Sequence, residues 1–255
     1  MMPKVEQGII IKSPQEIALM RQSGKILAEI LAVLRESVKP GITTADLDSV
    51  AAKEMAARKV TPSFLGYRGY PAHICVSVND EIVHGIPGTR MLRDGDIVGI
   101  DAGIIHQGWQ ADSAITVGAG NISPDAARLI DVTRASLEAG IRAARGGARL
   151  GDIGAAVQQV AEAAGYSVVR EYVGHGIGQA MHEDPQVPNY GPPGKGAILR
   201  PGMALAIEPM VNVGGQQTRV GADRWTVFTA DGSLSAHFEH SIAITDGEPE
   251  VLTRR

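Results

Sequence analysis

The sequence predicts an α+β fold made by duplication, and three observations carry that prediction. Leu92-Arg93-Asp94-Gly95-Asp96-Ile97-Val98-Gly99-Ile100-Asp101 lines up with Leu199-Arg200-Pro201-Gly202-Met203-Ala204-Leu205-Ala206-Ile207-Glu208, at an offset of 107. Thr44-Ala45-Asp46-Leu47 to Arg58 lines up with Leu150-Gly151-Asp152-Ile153 to Ala164, at an offset of 106. Each half also runs two helical patterns ahead of several strands joined by short turns, which favour antiparallel pairing. Two related sheets should then pack into one saddle with helices on the outer face.

The first helix is announced by Ser13-Pro14-Gln15-Glu16, which offers an N-cap, an N1 proline and an N3 acid. Ile17, Met20, Ile26, Leu27, Ile30 and Leu34 continue it at helical spacing. Lys39-Pro40-Gly41 breaks it, and the second helix runs from Thr44 to Arg58. Strands are expected at 74–78, 97–101 and 113–117. In the second half Ser123-Pro124-Asp125 opens a helix carrying Leu129, Ile130, Val132, Leu137 and Ile141, broken at Gly146-Gly147. The next helix spans 150–164, and strands are expected at 167–173, 204–208, 225–229 and 240–245. The repeats cover about 13–120 and 123–247, and no linker or charge block divides them. Residues 1–255 are therefore expected to form a single catalytic domain.

Of the 255 residues, 44 % are hydrophobic and 20 % charged, the balance of an ordinary soluble globule. A net charge of −4, with 24 scattered basic residues, argues against a nucleic-acid binder. Cys75 is the only cysteine, which excludes an internal disulfide and fits a reducing compartment. No signal-peptide pattern precedes the first helix and no apolar run approaches the ~20 residues of a membrane span. A cytoplasmic protein without membrane contact is the expectation.

The polar residues at strand ends and glycine turns are the informative ones. Asp101 and Glu208 end the two duplicated strands, where an unpaired buried carboxylate would be costly to desolvate. Asp112 begins another strand. His84 lies in Val83-His84-Gly85-Ile86-Pro87, His175 in Gly174-His175-Gly176-Ile177-Gly178, His182 in Met181-His182-Glu183-Asp184-Pro185, and Glu239 in His237-Phe238-Glu239-His240. A set richer in carboxylates than histidines suits divalent ions with an oxygen preference, such as manganese, iron, cobalt or zinc. Four carboxylates carry too much charge for one ion, whereas two ions sharing bridging carboxylates balance it and can activate water without a Ser or Cys nucleophile. Each residue taken alone reads equally well as a turn cap or a packed side chain. The Gly174-x-Gly176-x-Gly178 run lacks the spacing of a dinucleotide site.

With these residues assembled, the chain resembles the bacterial type I methionine aminopeptidases over nearly its whole length. Gly66-Tyr67-Arg68-Gly69-Tyr70-Pro71, Gly99-Ile100-Asp101-Ala102-Gly103, His182-Glu183-Asp184-Pro185-Gln186-Val187-Pro188 and Ala206-Ile207-Glu208-Pro209 carry the likeness, together with the three histidine and glutamate motifs above. The resemblance implies the pita-bread fold and two divalent metal ions held by Asp101, Asp112, His175, Glu208 and Glu239, with Asp112 and Glu239 shared. It implies hydrolytic removal of the initiator methionine from nascent proteins whose second residue is small. Glu208 would shuttle the proton, His182 would donate to the carbonyl oxygen, and His84 would bind the scissile amide nitrogen. The resemblance also points to a methionine pocket of Phe64, Tyr67, Tyr70, Cys75, Met181 and Trp225, whose apolar, aromatic and sulfur groups suit a thioether.

Phe64, Arg68 and Met181 depart from the commonest bacterial pattern, where cysteine, histidine and phenylalanine are frequent. The resemblance also implies a monomer acting on N-terminal methionine peptides and nascent chains, and leaves room for a transient ribosome association. Three relatives stay in view. Prolidases and proline aminopeptidases usually carry an additional N-terminal domain, whereas here the first repeat starts at Ser13. Type II methionine aminopeptidases insert a long helical segment between the last two acids, but Glu208 and Glu239 are only 31 apart. Metal-free binding modules of the same fold lose ligands that this chain keeps.

Overall fold

The computed structural model describes the backbone of residues 4–6 and all of residues 8–255. The first half contains β1 (Lys4–Glu6), β2 (Ile9–Ile11), α1 (Pro14–Ser37), α2 (Thr44–Ala57), β3 (Thr61–Pro62), β4 (Ile74–Val78), β5 (Glu81–Val83), β6 (Ile97–His106) and β7 (Trp109–Gly118). The second half opens with α3 (Pro124–Ala143), α4 (Leu150–Ala163), β8 (Ser167–Val168), β9 (Gly174–Gly176), β10 (Glu183–Val187), β11 (Ala204–Ile207) and β12 (Met210–Asn212). It closes with β13 (Thr218–Val220), β14 (Val227–Thr229), β15 (Ser235–His237), β16 (His240–Ala243) and β17 (Glu250–Val251). Among the described residues these strands pair antiparallel. The two sheets that matter most run β3-β6-β4, with β7 beside β6, and β10-β9-β11-β16-β17.

The helix starts follow local chemistry. Ser13 Oγ accepts from Glu16 N while Glu16 Oε2 accepts from Ser13 N, closing the expected capping box. At the second helix of each half the same bond recurs: Thr43 N donates to Asp46 Oδ2 at 2.7 Å, and Arg149 N donates to Asp152 Oδ2 at 2.7 Å.

The duplication is written into the backbone as well. Gly41 N donates to Leu92 O and Leu92 N to Ile42 O; in the second half Gly147 N donates to Leu199 O and Leu199 N to Ala148 O. These partners preserve the offsets of 106 and 107 that the sequence shows. Each helix pair buries an apolar face on its own sheet. Leu27, Ile30, Leu34, Leu47 and Met55 pack against Val76, Val98 and Ile100. Leu129, Leu137, Ile141 and Ile153 pack against Leu205, Ile207 and Ile242. No helix among the described residues is long and apolar enough to cross a membrane.

The halves meet along β7. Ala114 and Glu239 exchange backbone hydrogen bonds, Ser113 Oγ donates to Glu239 O at 2.7 Å, and Thr116 Oγ1 donates to His237 O at 2.8 Å. A third apolar cluster, with Ile17, Met20, Trp109, Ile177 and Leu252, spans the seam. Here α1 and the C-terminal segment pass so closely that a Cβ on Gly24 would lie 2.2 Å from Leu252 O.

Several expected boundaries move. Asp101 does not end its strand and Asp112 does not begin one: both lie inside a hairpin of two ten-residue strands that runs on to His106 and back from Trp109. Gln107 and Gly108 close it with φ of 51° and 81°, the left-handed pair that matches strand twist. The strand expected over 167–173 stops at Val168. Trp225 precedes β14, because Asp223 Oδ1 accepts from both Trp225 N and Thr226 N and turns the chain there.

Candidate metal centre and active site

Asp101 and Asp112 reach the site from adjacent strands. Asp101 faces Ala114 and Asp112 faces Gly103, so the two carboxylates are diagonal neighbours on one sheet face. Gly103 gives the neighbouring side chains room here: a Cβ would lie 2.9 Å from Phe64 Cε1 and 3.0 Å from Met181 Cε. From the second half come His175, in β9 opposite Ala206, and Glu208, the first residue beyond β11. Glu239 lies in the short extended link between β15 and β16, held by its backbone bonds to Ala114.

Ligand-type atoms of Asp112, His175 and Glu239 all lie within 4.8 Å of one another. His175 Nε2 is 3.6 Å from Glu208 Oε1 and 3.8 Å from Asp112 Oδ2. Asp101 Oδ1, Asp112 Oδ1 and Glu239 Oε1 are buried without a hydrogen-bond partner. Burial pushes the Asp101 carboxyl up to about 7. Burial, and then repulsion from the neighbouring carboxylates, holds Asp112, Glu208 and Glu239 well above the usual range. Four clustered carboxylates, three of them with an orphaned oxygen, are costly in this setting unless a cation joins them.

The set fits a divalent metal. His175 Nδ1 lies 2.8 Å from Gly176 O, and as a donor there it leaves the Nε2 lone pair facing the carboxylates. Burial lowers its pKa to about 4, so the ring is neutral near pH 7 and able to ligate.

The same carboxylates line part of a cavity of about 170 Å³ in all, whose apolar walls are Phe64, Tyr67, Tyr70, Cys75 and Trp225. An apolar cavity of roughly 150 Å³ holds a benzene, so this one has room for a single thioether side chain. Tyr70 stands edge-on to Trp225 at 5.1 Å and to Phe64 at 6.5 Å, and its hydroxyl lies 2.9 Å from Gly85 O. Burial raises the Cys75 thiol well above its ordinary value, which leaves it a wall rather than a nucleophile. Met181 packs behind the wall against Gly103 instead of on the cavity surface.

Two further histidines face the cavity. His84 holds a left-handed φ of 60°, an uncommon conformation of the kind that collects at functional sites. Its ring stands edge-on to Tyr172, and burial lowers its pKa to about 4. His182 sits at the rim, its Nδ1 2.8 Å from the Tyr67 hydroxyl and its ring 4.3 Å from that of His175. Partial burial, and then the charge of Arg68, lowers its pKa.

The structure thus gathers Asp101, Asp112, His175, Glu208 and Glu239 with His84 and His182 around one cavity. Sequence reasoning passed over His237, which is buried with an unpartnered Nε2 only 3.8 Å from Glu208 Oε2. The signal was available: His237 is two residues before Glu239, and in an extended segment such residues share a face. Arg68, notable in the sequence only as a departure from pattern, lines the rim with its guanidinium 5.4 Å above the Tyr67 ring.

Comparison with known proteins agrees with this geometry. The pattern of metallopeptidase family M24 matches residues 18–246. Methionine aminopeptidase 1 of Bacillus subtilis is 52 % identical over 246 residues, covering 96 % of this chain and 99 % of the relative. The methionine aminopeptidase structure from Rickettsia prowazekii superposes with a TM-score of 0.95 at 42 % identity, covering 96 % of this chain and 99 % of that one. The structure from Thermotoga maritima does so with a TM-score of 0.95 at 45 % identity, covering 97 % and 100 %.

Proposed function

We propose a mechanism from one premise: the chain belongs to metallopeptidase family M24, among its bacterial methionine aminopeptidases, with their pita-bread fold. The observation that carries the proposal is the group of unpartnered buried carboxylate oxygens set against a thioether-sized apolar cavity. Asp101, Asp112, His175, Glu208 and Glu239 are the residues that would hold the divalent metal, in a donor set whose four carboxylates would balance the charge of two ions. Manganese, iron, cobalt and zinc all suit this donor set. Bound there, the ions supply Lewis-acid polarisation of the scissile carbonyl and a water acidic enough to attack it near pH 7. Because both halves contribute ligands, the chain acts as one catalytic domain.

The protein's own groups do the rest. Phe64, Tyr67, Tyr70, Cys75 and Trp225 receive the methionine side chain, with Met181 packed behind them. Glu208 accepts the proton of the attacking water and passes it to the departing amine, the general acid–base role. With the Tyr67 hydroxyl, 2.8 Å away, donating to His182 Nδ1, the ring proton stands on Nε2, where it can reach the carbonyl oxygen as charge develops. His84, neutral near pH 7, bonds the scissile amide nitrogen. The substrates on this reading are N-terminal methionine peptides and nascent chains with a small second residue, met in the cytoplasm.

Metal-dependent release of methionine from Met-Ala-Ser, with little hydrolysis of Xaa-Pro peptides, is the expected result. His84→Ala should lower kcat about a hundredfold and leave bound metal near wild type. Metal loss in that variant would instead place His84 among the ligands, and absence of methionine release at full metal occupancy would overturn the proposal.

A further inference from the structure

His182 sits in a connection without regular secondary structure, between β9 and β10. What fixes that connection is the next residue. Glu183 Oε2 lies 2.6 Å from Lys12 Nζ in an ion pair whose side chains are 7 % and 1 % exposed. Lys12 Nζ also donates to Ile10 O at 3.2 Å, and Glu183 Oε1 accepts from Ala180 N at 3.3 Å. Gln110 N and Gly178 N close the turn by donating to Gly178 O and Ala180 O. Gly178 lies directly on the pair, since a Cβ there would come 2.3 Å from Glu183 Oε1 and 2.8 Å from Lys12 Cε. Lys12 is itself anchored, with its N–H on Gly202 O just ahead of the Ser13 cap.

We propose that Lys12 is a positioning residue: its buried ion pair with Glu183 holds the turn that aims His182 at the substrate. A buried ion pair roughly breaks even against well-packed apolar residues, so stability alone gives little reason for this one. What it adds is direction. A charged nitrogen from the N-terminal segment fixes one carboxylate, and that carboxylate, adjacent to His182, ties down the turn's backbone. The inference rests on the role given above to His182 as the carbonyl-oxygen donor.

Removing Lys12 alone would strand a buried carboxylate, so the test is the charge-free pair Lys12→Met with Glu183→Gln. On Met-Ala-Ser its kcat should fall about tenfold, the scale set by a small misplacement of a catalytic group, with KM and metal affinity by calorimetry within about twofold. Amides 178–183 should exchange faster than wild type in the metal-free protein. In a His182→Ala background the same two changes should cost less than about twofold. If the double variant unfolds, Glu183→Gln alone, which keeps an acceptor for Lys12, carries the same comparison. Unchanged kcat, or an undiminished tenfold loss in the His182→Ala background, would overturn the inference. His182→Ala at full kcat would remove the role on which it rests, and the inference with it.

Discussion

In the first half Ile100 faces Ile115 across a hairpin closed by two residues; in the second half Ile207 faces His240, and 33 positions separate them instead of 15. The frame is otherwise shared. Counted along the paired strands, Glu208 occupies the place of Asp101, Glu239 that of Ala114, and His237 that of Asp112. His175 in turn stands opposite Ala206 where Ser77 stands opposite Gly99. Equivalent backbone positions have therefore taken on different chemistry. The first half gives two carboxylates on rigid strands, while the second gives a histidine and two acids near strand ends. The added length in the second half forms β12–β15 and brings Trp225 against Tyr70. Duplication built the symmetric support, and substitution within it gave the site its direction.

The severest way to break this comparison is to remove a carboxylate at the seam. Asp112→Asn or Glu239→Gln should each lower kcat/KM on the order of 10⁴-fold and reduce bound metal by direct analysis. Full metal content in either variant would show that the seam is not where the halves share an ion. A smaller effect separates the two equivalent acids. Glu208→Gln should cost about 10²–10³-fold in kcat and flatten the pH–rate profile, whereas Asp101→Asn should act chiefly through metal affinity. Matching pH profiles for the two variants would make the acids functionally equal as well as structurally so.

The burial of charge on both sides of the seam should also appear in stability. Burial depresses His84 and His175 to about 4 and His237 to about 3. Above pH 7 these rings are neutral whether folded or unfolded, so they add no slope there. The carboxylates behave oppositely. Asp101 titrates at about 7 when folded, and Asp112, Glu208 and Glu239 are also held well above the ordinary carboxyl range, while unfolded carboxyls titrate near 4. The folded protein thus holds more protons than the unfolded chain, and stability falls as pH rises. Metal-free protein should show a Tm that declines as pH rises through about 7, and saturating manganese should flatten that decline. A rising metal-free Tm would contradict the arrangement. The mildest test is Gly103→Ala, which crowds Phe64, Ser63 and Met181 and should cost about 1–3 kcal/mol in urea unfolding, with a raised KM.

Much of this is legible in the amino-acid sequence alone. The capping residues Ser13 and Glu16, the matched acids Asp46 and Asp152, and the repeated Leu-Arg strands fix the helices and the offset, because capping and period are properties of neighbouring residues. Six of the seven gathered polar groups stand in recognisable motifs, and Asp112 is marked by its place at the edge of an expected strand. What the motifs do not show is the extent of the β6–β7 hairpin, since Asp101 and Asp112 interrupt an apolar run and read as its ends. Their place inside the strands depends on Glu239 and Ser241 pairing across the seam, from more than a hundred residues away. Trp225 is displaced from its expected strand by a side-chain turn at Asp223, a competition between local hydrogen bonds and a sheet ladder.

By itself, then, the sequence determined the α+β class, the duplication, the helix boundaries and the residue types that meet at the site. All of these follow from local spacing and from the chemistry of single side chains. Only the tertiary structure decided that His237 faces Glu208, that Met181 lies behind the pocket wall, and that Lys12 reaches Glu183. Those contacts join residues far apart in the chain, and burial determines their energetics: a charge or a lone pair becomes consequential once the fold removes water from around it.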